Sequence, residues 1–100
     1  MEKLTALKNL LLNNNRIRKI EGLETLKSLE HLDLSYNLIE KVEGLESLKN
    51  LKFLNLSHNQ IKDFAPLSKL TKIESLYIAN NPVENTDFVK SLSNLKKFVK

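Results

Sequence analysis

The chain has no cysteine, only two glycines and two prolines, and no long apolar run among its 100 residues. Without cysteine there is no disulfide framework, zinc knuckle or thiol nucleophile. Gly22 and Gly44 sit in separate turns, so no glycine-rich loop is available to cradle a phosphate. No segment approaches the ~20 apolar residues that a membrane-crossing helix needs. The opening residues, Met1-Glu2-Lys3-Leu4-Thr5-Ala6, lack the apolar stretch of a signal peptide. These absences predict a cytoplasmic or nuclear address and argue against secretion and membrane association. The formal charge of +4 is mild and points to no class of partner by itself. What the chain does have is 41% hydrophobic and 28% charged residues, the balance of a globular protein with one domain over 1–100.

The hydrophobic residues recur with a fixed period. Leu7, Leu29, Leu51, Ile73 and Leu95 are each 22 residues apart, which divides the chain into repeats 7–28, 29–50, 51–72 and 73–94 followed by a stub, 95–100. Each repeat has key slots at offsets 0, 3, 5, 8, 10, 13, 16 and 19. The second repeat fills them with Leu29, Leu32, Leu34, Asn37, Ile39, Val42, Leu45 and Leu48. Across the four repeats only Thr86 departs from the pattern. Offsets 3 and 5 have the two-residue alternation of a β-strand, so every repeat opens with a short strand, and stacked repeats make a parallel sheet. The first strand is expected over Leu7 to Leu12. The later slots, three residues apart, suit 3₁₀ turns or a short helix on the opposite side. A coiled coil is disfavoured, because 22 exceeds three heptads by one residue and an apolar seam would drift off the interface.

Asn15, Asn37, Asn59 and Asn81 form a column with one member per repeat. Where the chain leaves each strand its backbone groups lose their ladder partners, and inward-facing amides can replace them. The column therefore reads as a structural ladder. The outward neighbours Ser35 and Ser57 are expected to contribute little to stability.

The consensus L-x-x-L-x-L-x-x-N-x-I-x-x-I-E-G-L-E-x-L-x-x resembles the 22-residue class of leucine-rich repeats, and the resemblance covers essentially the whole chain. The class is typified by the nuclear regulatory subunit of protein phosphatase 1, axonemal dynein light chains and bacterial internalins. Ile20-Glu21-Gly22-Leu23-Glu24 and Val42-Glu43-Gly44-Leu45-Glu46 are similar to the eukaryotic members, and Asn59-Gln60-Ile61-Lys62-Asp63-Phe64-Ala65-Pro66-Leu67 to the internalins. The resemblance implies an α/β solenoid, a horseshoe arc with a short parallel β-sheet on its concave face and 3₁₀ or short helical segments on its convex face. It also implies a non-catalytic interaction module, scaffold or regulatory subunit, with partners of the kind of a phosphatase catalytic subunit, a cytoskeletal motor or a host receptor.

The two ends depart from the repeat. Met1 to Ala6 fit the tail of a preceding repeat, with Leu4 aligned to Leu26, Leu48 and Leu70. The first strand is thus expected to present an apolar edge that a second copy or an upstream repeat would cover. At the other end Asn81-Pro82 precedes the helix-capping types Asn85-Thr86-Asp87, with Phe88, Val89, Leu92 and Leu95 at helical spacing. A partial cap over about 82–100 is expected, and Leu95-Lys96-Lys97-Phe98 is similar to the family's terminal cap.

Because the slots point inward, the residues between them line the concave face. His31, Asp33, Tyr36, Phe53, Asn55, His58 and Tyr77 are the candidate partner-binding residues, and both tyrosines and both histidines fall on this face. Aromatic side chains supply contact area at little entropic cost, which suits anchors of a protein interface. An enzyme is not expected. His31 and His58 are placed roughly 17 Å apart by strand geometry, no serine or cysteine nucleophile completes a triad, and neither cofactor nor metal is implied. The first four repeats put Lys8 and Lys52 against Glu30, Asp33 and Glu74 on this face, while Arg16, Arg18, Lys19, Lys96, Lys97 and Lys100 lie elsewhere. A nucleic-acid reader interleaves basic and aromatic residues, and here they are separate, so an accessory to nucleic-acid machinery is the weaker alternative. The other alternative is a structural segment that lengthens a larger solenoid or self-associates. The expectation is binding of a protein or peptide on the concave face.

Overall fold

The computed structural model describes residues 5–100, so Leu4 and its expected alignment lie outside the described residues. The strands are β1 (Asn9–Leu11), β2 (His31–Asp33), β3 (Phe53–Asn55), β4 (Ser75–Tyr77) and β5 (Lys97–Val99). They form one parallel sheet in the order β1-β2-β3-β4-β5. Register partners are always 22 residues apart: Leu10, Leu32, Leu54, Leu76 and Phe98 stand side by side. The sequence period is therefore the strand-to-strand step of the solenoid.

Each strand is only three residues long, and in β2, β3 and β4 its central residue is fully buried between two half-exposed ones. β1 is accordingly shorter than the expected span from Leu7 to Leu12. The backbone ladder nevertheless runs on past the strand ends. Leu34 N–H donates to Asn55 O at 2.8 Å and Tyr36 N–H to Ser57 O at 3.0 Å, and the third repeat does the same onto Tyr77 and Ala79.

Every apolar slot of the second and third repeats is buried, whereas Leu7, Leu10, Leu12 and Ile17 of the first repeat are half-buried. The difference follows from stacking, since a layer is sealed only by neighbours on both sides. On the side opposite the sheet, 3₁₀ helices occupy Ala65–Lys69 and Asp87–Ser91, each burying one large side chain, Leu67 and Phe88. Asp63 Oδ1 accepts from Ala65 N–H and Asn85 Oδ1 from Asp87 N–H, so each helix is entered through an Asx turn. The earlier repeats turn instead at Gly22 and Gly44, whose φ angles of 79° and 73° lie in the left-handed region. A Cβ on Gly44 would stand 2.7 Å from the Ile20 carbonyl oxygen of the previous repeat, so this glycine also permits close stacking.

At the C-terminal end other residues continue the repeat. Thr86 breaks the slot pattern because Phe88, two residues on, fills its place. The Phe88 ring stacks on Phe64 at 5.9 Å, and Phe98 meets Phe88 edge-on at 6.3 Å. Within the cap expected over about 82–100 lie the 3₁₀ helix Asp87–Ser91 and, in the stub, a fifth strand, with Ile78 N–H donating to Val99 O at 2.8 Å. The strand residues obey the 22-residue register.

The asparagine amides tie the repeats together. Asn59 Oδ1 accepts from Ile39 N–H of the previous repeat at 3.0 Å, while its Nδ2 donates to Leu34 O, Leu56 O and Ser57 O. Asn37 makes the same four bonds one repeat earlier and Asn81 one repeat later. Asn15 makes the two bonds of this set that lie within its own repeat, Nδ2 donating to Leu12 O and Asn13 O, and it is exposed. Its counterparts draw their remaining bonds from the preceding repeat. A second ladder runs along the opposite surface, where Ser47, Asn50 and Asn94 donate to carbonyls 23 residues back.

Candidate interaction face

The strand register arranges the concave face in rows that run across the sheet. One row is Asn9, His31, Phe53, Ser75 and Lys97, and the next is Leu11, Asp33, Asn55, Tyr77 and Val99. Just beyond the strand ends lies a third row of Asn14, Tyr36, His58 and Asn80, again at 22-residue intervals.

Two aromatic stacks stand on this face. The rings of His31 and Phe53 lie 4.0 Å apart and 9° from parallel, and Tyr77 leans toward Phe53 at 5.3 Å. In the third row Tyr36 and His58 stack at 4.1 Å and 10°. His58 Nε2 is 3.0 Å from Asn80 Nδ2, which fits amide donation to a neutral imidazole. The strand spacing of ~4.8 Å falls within the centroid separations at which aromatic rings pair, so side chains in one row of adjacent repeats can stack. Each histidine is committed to a different stack.

The third row carries backbone strain. Asn14, Tyr36, His58 and Asn80 all have φ between 57° and 59°. Asparagine and histidine tolerate this left-handed conformation better than other residues with a side chain, but tyrosine has no such excuse. Tyr36 is also 52% exposed, one of the two large hydrophobic residues most open to solvent among the described residues, with Leu11 at 64%. A strained backbone under an exposed ring is a costly arrangement.

Two of the candidate binding residues are partly occupied by their own turns. Asp33 Oδ1 accepts from both Ser35 N–H at 2.9 Å and Ser35 Oγ–H at 2.7 Å. Asn55 Oδ1 accepts from Ser57 N–H at 3.0 Å. Ser35 and Ser57 are consequently buried, at 4% and 8% exposure, not outward as expected. Alternation fails here because the chain leaves β geometry immediately after the strand, and the Asx turn draws the serine inward.

The charge distribution also needs correction. β5 brings Lys97 onto the concave face, with Nζ 5.6 Å from the centre of the Tyr77 ring. The expected separation of basic from aromatic residues therefore does not hold at this end. The signal was available in the period, since Lys97 is the fifth member of the row that contains His31 and Phe53. Beside the strands, Lys8, Glu30, Lys52, Glu74 and Lys96 alternate in sign across the sheet, and Lys96 pairs with Glu74 at 3.9 Å. Adding Lys96 and Lys97 to Lys8 and Lys52 against Glu30, Asp33 and Glu74 turns the formal balance of the face from −1 to +1.

Away from this face an open groove of about 540 Å³ lies beside the two 3₁₀ helices, lined by Lys62, Asp63, Glu84, Asp87 and Phe88 among others. Among the described residues no group of three His, Cys, Asp or Glu side chains is placed to hold a metal ion. Among them, too, no helix is long and apolar enough to cross a membrane.

The family model described as Leucine Rich repeats (2 copies) matches residues 5–47 and 49–97. Solved structures of similar fold include internalin C2 from Listeria monocytogenes, 28% identical over 99% of this chain and 46% of that one, with a TM-score of 0.88. An internalin F structure from the same organism is 26% identical over 99% of this chain and 36% of its own, with a TM-score of 0.74. The functional domain of InlJ, also from Listeria monocytogenes and described as including a cysteine ladder, is 27% identical over 97% of this chain and 21% of its own, with a TM-score of 0.84. The chain thus spans less than half the length of these proteins, and unlike InlJ it has no cysteine. No curated protein sequence matches it significantly.

Proposed function

Because the chain belongs to the leucine-rich-repeat family, whose domains generally mediate protein–protein interaction, we propose that it is a non-catalytic binding module that receives a protein or peptide on its concave face. The observation that carries this reading is the exposed Tyr36 ring held on a left-handed backbone. Folding alone would favour asparagine or glycine there, as Asn14 and Asn80 illustrate in the equivalent positions. The His31–Phe53–Tyr77 cluster supports it with rigid, amphipathic contact area at the centre of the sheet. Asp33 and Asn55 contribute through the polar atoms their turns leave free, and His58 through its stack with Tyr36.

The test is differential capture with the wild type and a variant carrying Tyr36→Ala, Phe53→Ala and Tyr77→Ala, followed by affinity measurement with the purified partner. Truncating Phe53 or Tyr77 singly is expected to cost about 2 kcal/mol or more in affinity, the range of interface hot spots, without unfolding the protein. Charge reversal at Arg16, Arg18 and Lys19 is expected to matter less. A partner that ignores the aromatic changes and is lost on reversal of these basic residues would overturn the concave-face reading.

A further inference from the structure

Lys8, Glu30, Lys52, Glu74 and Lys96 occupy equivalent positions on successive repeats, and each faces a neighbour of opposite sign. Cross-strand pairs of opposite charge compensate one another, so this row presents little net field to a ligand. Asp33 and Lys97 remain, in rows of their own. Asp33 lies in β2 with one carboxylate oxygen taken by Ser35, three residues before Tyr36, whose ring is exposed. Lys97 lies in β5 with its ammonium leaning over Tyr77. The concave face is thereby polarised along the arc, negative toward the second repeat and positive at the fifth strand, with Phe53 and Tyr77 between.

We infer that the occupant of this face is an extended peptide segment with a basic and an acidic side chain four residues apart and an apolar residue midway. This rests on the concave-face reading above. The spacing follows from strand geometry. Lys97 bends back toward β4, so its ammonium stands between two and three strand spacings from Asp33, about 10–14 Å at ~4.8 Å each. An extended chain advances roughly 13 Å over four residues and turns alternate side chains to the same side. Residues i, i+2 and i+4 then face the sheet together. The basic group, an arginine for preference, stacks on the open side of Tyr36 and meets the free oxygen of Asp33. The middle residue rests on the ring edges of Phe53 and Tyr77, and the carboxylate reaches Lys97. Either chain direction satisfies this arrangement, so the requirement is for opposite charges at that spacing and not for their order.

A displayed library of short random peptides, selected against the intact protein, tests the inference. Wild type is expected to enrich sequences with opposite charges four apart around an apolar residue. Lys97→Glu is expected to replace the acidic requirement by a second basic one. Asp33→Asn, which keeps the turn acceptor just as Asn55 does in the next repeat, is expected to remove the basic requirement. Loss of either charge is expected to weaken a selected peptide about two- to fivefold, the effect of an exposed ion pair. Peptides that depend on Phe53 and Tyr77 but show no charge pattern, a charge pattern indifferent to both variants, or no enrichment at all would each overturn this inference while leaving the concave-face reading to its own test. Peptides with the charge pattern that bind a Phe53→Ala, Tyr77→Ala variant equally well would overturn both.

Discussion

Asn59→Ala removes one side chain and four hydrogen bonds, and the structure tells which of the four matter. Ile39 N–H is buried and has Asn59 Oδ1 as its acceptor across the repeat boundary. The three carbonyls fare better. Leu34 O keeps Asn37, Leu56 O keeps Asn81, and Ser57 O keeps the backbone N–H of Tyr36. The dominant cost is therefore one buried amide left unpaired, about 1–3 kcal/mol, to which the vacated side-chain volume adds. A total of about 2–3 kcal/mol is expected, a large part of the ~5–15 kcal/mol that stabilises a domain of this size. In a thermal melt that is a fall of roughly 10–20 °C. Asn15→Ala is the internal control, because that amide is exposed and, among the described residues, reaches only carbonyls of its own repeat. It is expected to cost less than about 1 kcal/mol. Asn59→Asp sharpens the test. It keeps the acceptor for Ile39 but aims a carboxylate at three carbonyl oxygens, and is expected to be no better than alanine despite its near-identical shape. Equal losses at Asn15 and Asn59 would refute the account of the ladder as an inter-repeat clamp.

The two glycines separate conformational strain from stacking: Gly22→Ala meets no atom within 4 Å and is expected to cost about 1–2 kcal/mol for its left-handed backbone. Gly44→Ala bears the same strain and also drives a methyl against Ile20 O, so its urea-denaturation midpoint is expected to fall distinctly further. Tyr36→Gly relieves a left-handed tyrosine while losing the stack on His58, two effects of about 1 kcal/mol each. Its stability is expected to stay within about 1 kcal/mol of wild type, whereas affinity for a concave-face partner falls. A Tyr36→Gly protein that melts far below wild type would show that the ring is there for folding.

The sequence made the core legible because core positions obey the period. Leu32, Leu54 and Leu76 repeat at fixed offsets for the simple reason that each must fill the same layer, and the register follows from that repetition alone. What escaped the pattern lies where local turn chemistry overrides alternation. Ser35 and Ser57 appear to alternate outward, yet the Asx turns at Asp33 and Asn55 draw them inward. The fifth strand was hidden for a different reason. Lys97 and Val99 flank a phenylalanine where earlier strands carry leucine, so the apolar residue that marks each strand changes type here.

The left-handed row shows how the same logic bears on function. A solenoid presents each surface position once per strand, so a row of the concave face is one offset sampled in successive repeats. Where folding alone governs an offset, its residues converge, as the asparagine ladder does at 37, 59 and 81. The offset of Asn14, Tyr36, His58 and Asn80 has a fixed backbone requirement that asparagine meets with least strain, and its two end members converge on asparagine. The two central members do not. They are also the pair that stacks, at 4.1 Å. On the reading proposed above, a departure from the residue the backbone favours, confined to adjacent repeats and coordinated between them, fits a contact surface. In the first row His31 and Phe53 form the other adjacent stacked pair. The two pairs lie in the same two repeats, the second and third, so on the reading proposed above the interaction face would centre there, on the repeats whose apolar slots are all buried.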